Sequence, residues 1–121
     1  MPIVFFRDSD GSTPFLDWFD HLSEMAKVRC RARIELLADQ GHRLRRPAAD
    51  YLRDGIYELR AKAGRVQYRM LYFFHGRTAV VVSHGITKDE AAVSPIEIEL
   101  ARGRKQAFEA DPQRHTHKET L

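Results

Sequence analysis

Cysteine is almost absent from this 121-residue chain, and Cys30 is the single example. One thiol cannot close an internal disulfide, and it offers no cysteine framework for a metal ion. Long apolar runs are also missing, since no stretch approaches the roughly 20 residues that cross a bilayer as a helix. The opening residues, MPIVFFRDSD, are too polar for a secretory signal. These absences favour an intracellular protein, which we expect in the cytoplasm without a membrane partner.

Acidic residues are scarce in the middle of the chain. Residues 1–26 carry a net charge of −4, residues 27–77 a net charge of +8 and residues 78–121 a net charge of −1, giving the overall charge of +3. A basic segment of this kind indicates a polyanionic partner such as nucleic acid. Solvated protein surface gives the same composition, so both interpretations stay open.

The length and the 43% hydrophobic content suit one domain with a single core. We place this domain at residues 1–110. From Asp111 the sequence DPQRHTHKETL is polar and contains no apolar period. It predicts a flexible tail over residues 111–121.

Residues 56–86 form the most β-rich part of the sequence. Three runs of apolar, aromatic and β-branched residues are separated by short links around Gly64 and Gly76. Short glycine-containing links between such runs are typical of β-hairpins. The pattern predicts three consecutive antiparallel strands over residues 56–63, 66–74 and 78–84. Residues 3–6 predict a further, N-terminal strand.

Three helices are indicated by caps and apolar periods. Thr13 and Pro14 begin the first helix and Ser23 begins the second, which we expect to end near Gly41. A capping box starting at Ser94 begins the third helix. Spacing predicts the apolar stripe of the second helix, and it consists of Met25, Val28, Ala32, Leu36 and the adjacent Leu37. Spacing also places on one side of the third helix Ile96, Leu100, Gly103 and Ala107, with Ala101 and Phe108 beside them.

Strand alternation separates an apolar face from a cationic one. The simplest assembly puts one set of side chains under the first two helices: Tyr57, Leu59, Ala61, Tyr68, Met70 and Tyr72. A second set then lies on an open face: Arg60, Lys62, Gln67 and Arg69. A charge inside a strand normally faces solvent or a ligand, because burying it unpaired is costly.

Four segments together resemble the RelE/HigB superfamily, in particular its phage-related HigB-like branch. They are DGIYELR at 54–60, YRMLY at 68–72, HGITK at 84–88 and PIEIELA at 95–101. The resemblance covers about residues 3–110. It implies an α+β, RelE-like fold, in which an N-terminal strand and a helical hairpin pack on an antiparallel sheet with a C-terminal helix.

The same resemblance implies the toxin of a type II toxin–antitoxin pair. Members of the superfamily cut mRNA, typically in the ribosomal A site, and use no metal or other cofactor. A ribose 2′-hydroxyl attacks the adjacent phosphate in line and leaves a cyclic phosphate. The expected partners are therefore mRNA, the ribosome and a small helix-turn-helix antitoxin.

Site residues follow from matching this sequence to the family pattern. Arg69 matches the strand arginine of the Tyr-Arg-x-x-Tyr segment and is the first candidate for a phosphate clamp, followed by Arg60 and Lys88. Guanidinium groups on rigid strands supply preorganised donors to the charge that builds on phosphate. His84, or alternatively His75, is the candidate for proton transfer. Cations expected to position RNA backbone are Lys62, Arg65, Arg43, Arg45 and Arg46.

The sequence departs from the family at two places. Residues 88–93 hold neither the tyrosine nor the histidine that many relatives carry late in the chain. Glu58 stands where some relatives have a lysine, and its charge would repel RNA unless Arg60 or Arg69 pairs with it. These departures leave open a catalytically weak relative that acts as a binding module. A metal-dependent nuclease is a third reading, but no carboxylate or histidine cluster has ligand spacing.

Overall fold

A computed structural model describes residues 1–88 and 92–121, with Lys88 described through its backbone only. Three helices are present in this part of the chain, α1 (Pro14–Phe19), α2 (Glu24–Gln40) and α3 (Pro95–Ala110), and a short 3-10 helix spans Gly41–Arg43. The strands are β1 (Ile3–Phe6), β2 (Ala49–Arg53), β3 (Ile56–Ala63), β4 (Val66–His75), β5 (Ala79–Lys88) and β6 (Thr116–His117). No described helix is both long enough and apolar enough to cross a bilayer.

All described strands belong to one sheet in the order β2-β3-β4-β5-β1-β6. All neighbouring pairs are antiparallel except β1 and β5, which pair in parallel. The β3–β4 and β4–β5 turns each contain a glycine with positive φ, Gly64 at 61° and Gly76 at 53°, which is the conformation that favours glycine. The predicted α+β fold, with an N-terminal strand and a C-terminal helix, is confirmed. Sequence patterns did not predict β2 and β6 as strands.

The first two helices pack on one face of the sheet. Phe15, Phe19 and Leu37 meet strand residues such as Leu59 and Met70 there. The strand side chains predicted to lie under these helices do so. The predicted stripe of α2 is wrong except for Leu37. The buried residues of α2 are Ala26, Cys30, Ile34 and Leu37, whereas Met25 and Val28 are 59% and 54% exposed. Cys30 is fully buried, and burial raises the pKa of its thiol to about 12, so it is a packing residue rather than a nucleophile.

The third helix covers part of the opposite face. Ile98, Ala101 and Phe108 pack against strand residues that include Leu71 and Phe73. Ile96 and Leu100, expected on one side with Gly103 and Ala107, are exposed, the former by 78%. The buried side of α3 is therefore the one that carries Ala101 and Phe108.

The C-terminal segment packs against β1, although the sequence predicts a flexible tail. Thr116 and His117 pair with Phe6 and Phe5 as β6. His115 is buried, its ring stacks on Phe6 with the centroids 5.0 Å apart, and its Nδ1 lies 2.7 Å from the Arg7 carbonyl oxygen. These contacts make the segment the last strand of the sheet.

Candidate functional site

Two arginines face each other across the central hairpin, on the sheet face that α3 partly covers. Arg60 on β3 is the register partner of Arg69 on β4. The next row toward the turn pairs Lys62 with Gln67. Side chains directly opposite in such a ladder have Cβ atoms about 5 Å apart, so two like charges repel unless an anion lies between them.

Glu58 supplies that anion. Its Oε1 accepts a hydrogen bond from Arg69 Nη1 at 2.6 Å and another from Arg60 Nε. Arg69 Nη2 also donates to Gln67 Oε1 at 3.3 Å. The side chain of Glu58 is 1% exposed. A carboxylate this buried requires paired charge, and the two guanidiniums provide it.

Burial differs sharply between the two arginines. The side chain of Arg69 is 7% exposed and that of Arg60 is 35% exposed. The prediction that both lie on an open face is therefore wrong for Arg69. The physical reason is that Glu58 and Gln67 lie on either side of Arg69 on this face and both accept hydrogen bonds from its guanidinium. Arg60 is the member of the pair that solvent reaches.

The charges continue from this pair toward the edge of the sheet. Arg60 Nη2 lies 3.3 Å from Asp50 Oδ2, and Arg46 Nη2 lies 2.8 Å from the same oxygen. The hydrogen bond from Arg46 lowers the pKa of Asp50 against an opposing desolvation effect, and the charge of Arg60 adds to the lowering. Three guanidiniums and two carboxylates thus alternate from β4 to the loop before β2. Their one net positive charge makes this row, called the charge line below, a weakly cationic surface.

Residues 42–46, called the basic loop below, border a cleft of about 640 Å³. Arg45 and Arg46 line it together with Tyr51 and Tyr57, whose rings meet edge-on at 4.9 Å. Arg45 Nη1 donates to the carbonyl oxygens of His42 and Leu44 at 2.5 and 3.1 Å. Arg45, predicted to position RNA, therefore stabilises the loop itself through these hydrogen bonds. Arg43 is exposed beside them.

Two other predicted RNA-positioning cations lie near the β3–β4 turn. Lys62 and Arg65 are both exposed. Lys62 lines a groove of about 410 Å³ with Arg29 and Arg33 of α2. The structure therefore does not bring all the predicted cations into one cluster. Arg43, Arg45 and Arg46 lie in the basic loop before β2, whereas Arg65 lies in the β3–β4 turn.

His84 is held between β5 and α3. Its Nδ1 lies 2.7 Å from Ser83 Oγ and its Nε2 lies 2.9 Å from Glu97 Oε2. Burial lowers the pKa of His84; the positive charge of Arg104 adds to this effect, and the contact with Glu97 opposes it. In the register, Glu58 pairs with Leu71 and Leu71 with His84. His84 is thus two strands from Glu58, roughly 10 Å away at the usual strand spacing.

The other histidine candidate lies farther from the arginines. His75 ends β4, six residues beyond Arg69, which is about 20 Å along a strand. Its ring meets Phe108 edge-on at 5.1 Å. The structure therefore does not bring His75 to Arg60 and Arg69.

The prediction for Lys88 falls partly outside the described residues. Its backbone ends β5 and pairs with Gln67, which places the residue in the same row as Lys62. Its side chain and residues 89–91 are outside the described part of the chain. In the described ranges 1–88 and 92–121, no group of three or more His, Cys, Asp or Glu residues is placed to hold a metal ion.

Sequence patterns do not identify several residues that shape the site. Asp50 and Gln67 carry contacts with the arginines, and only the strand register reveals them. Gly85 is needed for close packing, because a Cβ there would overlap the Trp18 ring. Trp18 Nε1 donates to Thr87 Oγ1 at 3.0 Å. These contacts give a physical reason for the glycine of the HGITK segment at 84–88.

Comparison with known proteins gives a family for the chain. The sequence model of the family described as phage derived protein Gp49-like (DUF891) matches residues 17–106. The match runs from α1 into α3 and includes every predicted site residue, while β1 and β6 lie outside it. Among curated proteins, none matches this sequence. Since the family model covers more than half of the 121 residues, the chain belongs to the Gp49-like family of phage-derived proteins.

Proposed function

We propose that this protein is the toxin of a toxin–antitoxin pair and cleaves mRNA, on the ribosome and in the cytoplasm, without a metal cofactor. The Gp49-like family is commonly composed of toxins of the RelE/HigB type. The single observation that carries the chemistry is the pair Arg60 and Arg69, fixed on neighbouring strands by the buried Glu58. The partner is a helix-turn-helix antitoxin.

In this reaction a ribose 2′-hydroxyl loses its proton and attacks the adjacent phosphorus. The bond from phosphorus to the 5′ oxygen breaks, a 2′,3′-cyclic phosphate forms, and a proton reaches the departing 5′ oxygen. Negative charge builds on the non-bridging oxygens. Fixed cationic donors lower the energy of such a transition state because they need no reorganisation when the charge develops.

Arg60 is the residue we assign to the phosphate, because it combines exposure with a fixed position. Arg69 and Glu58 act as positioning residues beneath it, since the shared carboxylate oxygen holds the Arg60 guanidinium. Lys62 and Arg65, both exposed, extend the cationic surface toward the RNA backbone, and Lys88, whose backbone ends β5 in the row of Lys62 and Gln67, is a further candidate for the same role. His84 stays a candidate for proton transfer, and its pKa below the usual range would leave it neutral near pH 7, as a base requires.

The test is cleavage of a reporter mRNA in a reconstituted translation reaction, followed by primer extension. We expect Arg60→Ala to lower the cleavage rate about 100-fold, the usual effect of losing one preorganised donor to a developing charge. Arg77→Ala, which removes an exposed arginine from the β4–β5 turn, is the matched control and should cleave at the wild-type rate. Equal activity of folded Arg60→Ala and wild-type protein would contradict the assignment.

A second candidate function is a binding module without cleavage. The observation that favours it is the burial of Arg69, whose guanidinium donates to Glu58 and Gln67. It predicts a stable complex with a helix-turn-helix protein encoded by the neighbouring gene, and no 5′ ends in primer extension. Cleavage by wild-type protein that disappears in Arg60→Ala would exclude this second function.

A further inference from the structure

A second apolar stripe runs along the side of α2 that faces away from the sheet. Met25, Val28 and Ala32 are exposed, and Leu36 is half-buried. At about 100° per residue these four positions span less than a quarter of the helix circumference. They lie roughly opposite the stripe that packs on the sheet, whose members are Ala26, Cys30, Ile34 and Leu37. We call these four exposed or half-buried residues the outer stripe.

A cationic groove borders one side of the outer stripe. Arg29, Arg33 and Lys62 line it together with Ala32, Leu36 and Ala61, and it encloses about 410 Å³. No carboxylate belongs to this lining. Across the described ranges of the chain, none of these three cations forms an ion pair within the protein. Three positive charges thus surround a small concavity that begins where the apolar stripe ends.

The other side of the outer stripe carries two acidic residues. Helical spacing puts Glu35 next to Val28, with Glu24 close by on that side. Glu35 is exposed, and Glu24 pairs with Lys27 at 3.6 Å. The outer surface of α2 therefore has three parallel zones, cationic, apolar and acidic, over a helix of 17 residues. A helix of that length is about 25 Å long, enough to contact several turns of a partner helix.

We propose that the outer stripe and its groove bind an amphipathic helix of another protein, with acidic side chains on the edge that enters the groove. Apolar residues spaced along one face of the partner cover Met25, Val28 and Ala32. Its Asp or Glu side chains reach Arg29 and Arg33, which gives the contact its orientation. The face lies on the opposite side of the sheet from the Arg60–Arg69 pair, so a bound helix leaves that pair uncovered.

The test uses the full-length chain and two synthetic 16-residue helical peptides with identical leucine stripes. One carries Glu and the other Lys on the edge next to the stripe, and fluorescence anisotropy measures binding. We expect the Glu peptide to bind at least tenfold more tightly than the Lys peptide. Raising salt should narrow the difference, because exposed charges are screened. Equal affinities, or no binding at millimolar peptide, would overturn the proposal.

Two variants and two matched controls locate the contact. Val28→Asp and the double change Arg29→Glu/Arg33→Glu should each weaken binding of the Glu peptide about tenfold. Ile96→Asp alters a still more exposed apolar residue on α3, and Arg114→Glu reverses an exposed charge in the C-terminal segment. Both controls should bind as the wild type does. Circular dichroism checks that each variant is folded, and weaker binding in a control equal to that in Val28→Asp would overturn the assignment.

Two other occupants give different results. If α2 contacts a second copy of this chain, sedimentation will show a dimer that Val28→Asp dissociates. If it contacts the ribosome or RNA, folded Val28→Asp will lose cleavage in the translation reaction. Either result would replace the proposed helix. Because neither variant changes Arg60, Arg69 or Glu58, failure of peptide binding leaves the proposed cleavage function intact, and loss of cleavage in Arg60→Ala leaves this surface intact.

Discussion

The two faces of the central hairpin use the same strands in different ways. Under α1 and α2 the face is apolar along its whole length, from Tyr57 and Tyr72 to Ala61 and Tyr68. The opposite face is apolar only where α3 lies on it, around Ile56, Leu71 and Phe73. Its remaining part carries Glu58, Arg60, Lys62, Gln67 and Arg69. The comparison shows that a single helix, α3, covers only part of its face of the sheet. The uncovered part can therefore carry charged residues.

The largest effect should come from removing the anion on the polar side. Glu58→Ala leaves two neighbouring guanidiniums without their shared partner, and losing one member of a buried ion pair typically costs about 3–5 kcal/mol. Leu59→Ala, one residue along on the apolar side, gives a comparable reference at about 2–5 kcal/mol. Urea denaturation measures both. A Glu58→Ala variant as stable as the wild type would show that the arginines need no internal anion.

The next effect tests how tightly the apolar side is packed. A methyl group at Gly85 overlaps the Trp18 ring, so Gly85→Ala should destabilise the protein by about 1–3 kcal/mol, as overpacking does. Tryptophan fluorescence should shift to the red if the ring is displaced toward water. Gly103→Ala on α3 is the control, because nothing lies near a Cβ there. If Gly103→Ala lost stability and Gly85→Ala did not, close packing at Gly85 would be contradicted.

A smaller effect should appear as a change of stability with pH on the polar side. His84 has a folded-state pKa below its ordinary value of 6.5, because it is buried. The unfolded chain therefore binds the proton more readily, so the stabilisation is complete above pH 6.5 and is lost as pH falls toward the lowered pKa. The urea midpoint of the wild type should fall more between pH 7.5 and 5.5 than that of His84→Gln. Equal slopes would show that His84 titrates as in the unfolded chain.

The smallest effect should come from the exposed end of the charge line. Arg46 pairs with Asp50 at the surface, where ion pairs are screened by solvent. Arg46→Ala should leave the urea midpoint unchanged within error, in contrast to Glu58→Ala at the buried end of the same line. A midpoint drop as large as that of Glu58→Ala would show that the line acts as one cooperative unit.

Sequence patterns predicted the parts of the fold that depend on neighbours along the chain. Glycine turns and β-rich runs located β3, β4 and most of β5, and the caps at Thr13, Ser23 and Ser94 placed the three helix starts. The buried side of α2 was not predicted. This helix has two apolar stripes roughly half a turn apart, and only packing against the sheet decides which of them is covered.

The site depended on distant contacts, which sequence patterns could not supply. Opposite charges on β3 were noticed, but the burial of Arg69 follows from a partner eleven positions away, Glu58, and from the register. The C-terminal strand was missed for a similar reason. Its two residues are polar, and their pairing with Phe5 and Phe6 spans almost the whole sequence.

The parallel pairing of β1 with β5 affects how the molecule assembles during synthesis. Ile3 is the register partner of Val80, so β1 is synthesised long before the strand it pairs with. The β3–β4 hairpin needs only local closure and can form early, whereas closing the long intervening segment is slow. Until β5 is synthesised, Phe5 and Phe6 lack the strand that pairs with β1. At this stage the nascent chain exposes apolar surface, to which chaperones bind and which favours aggregation.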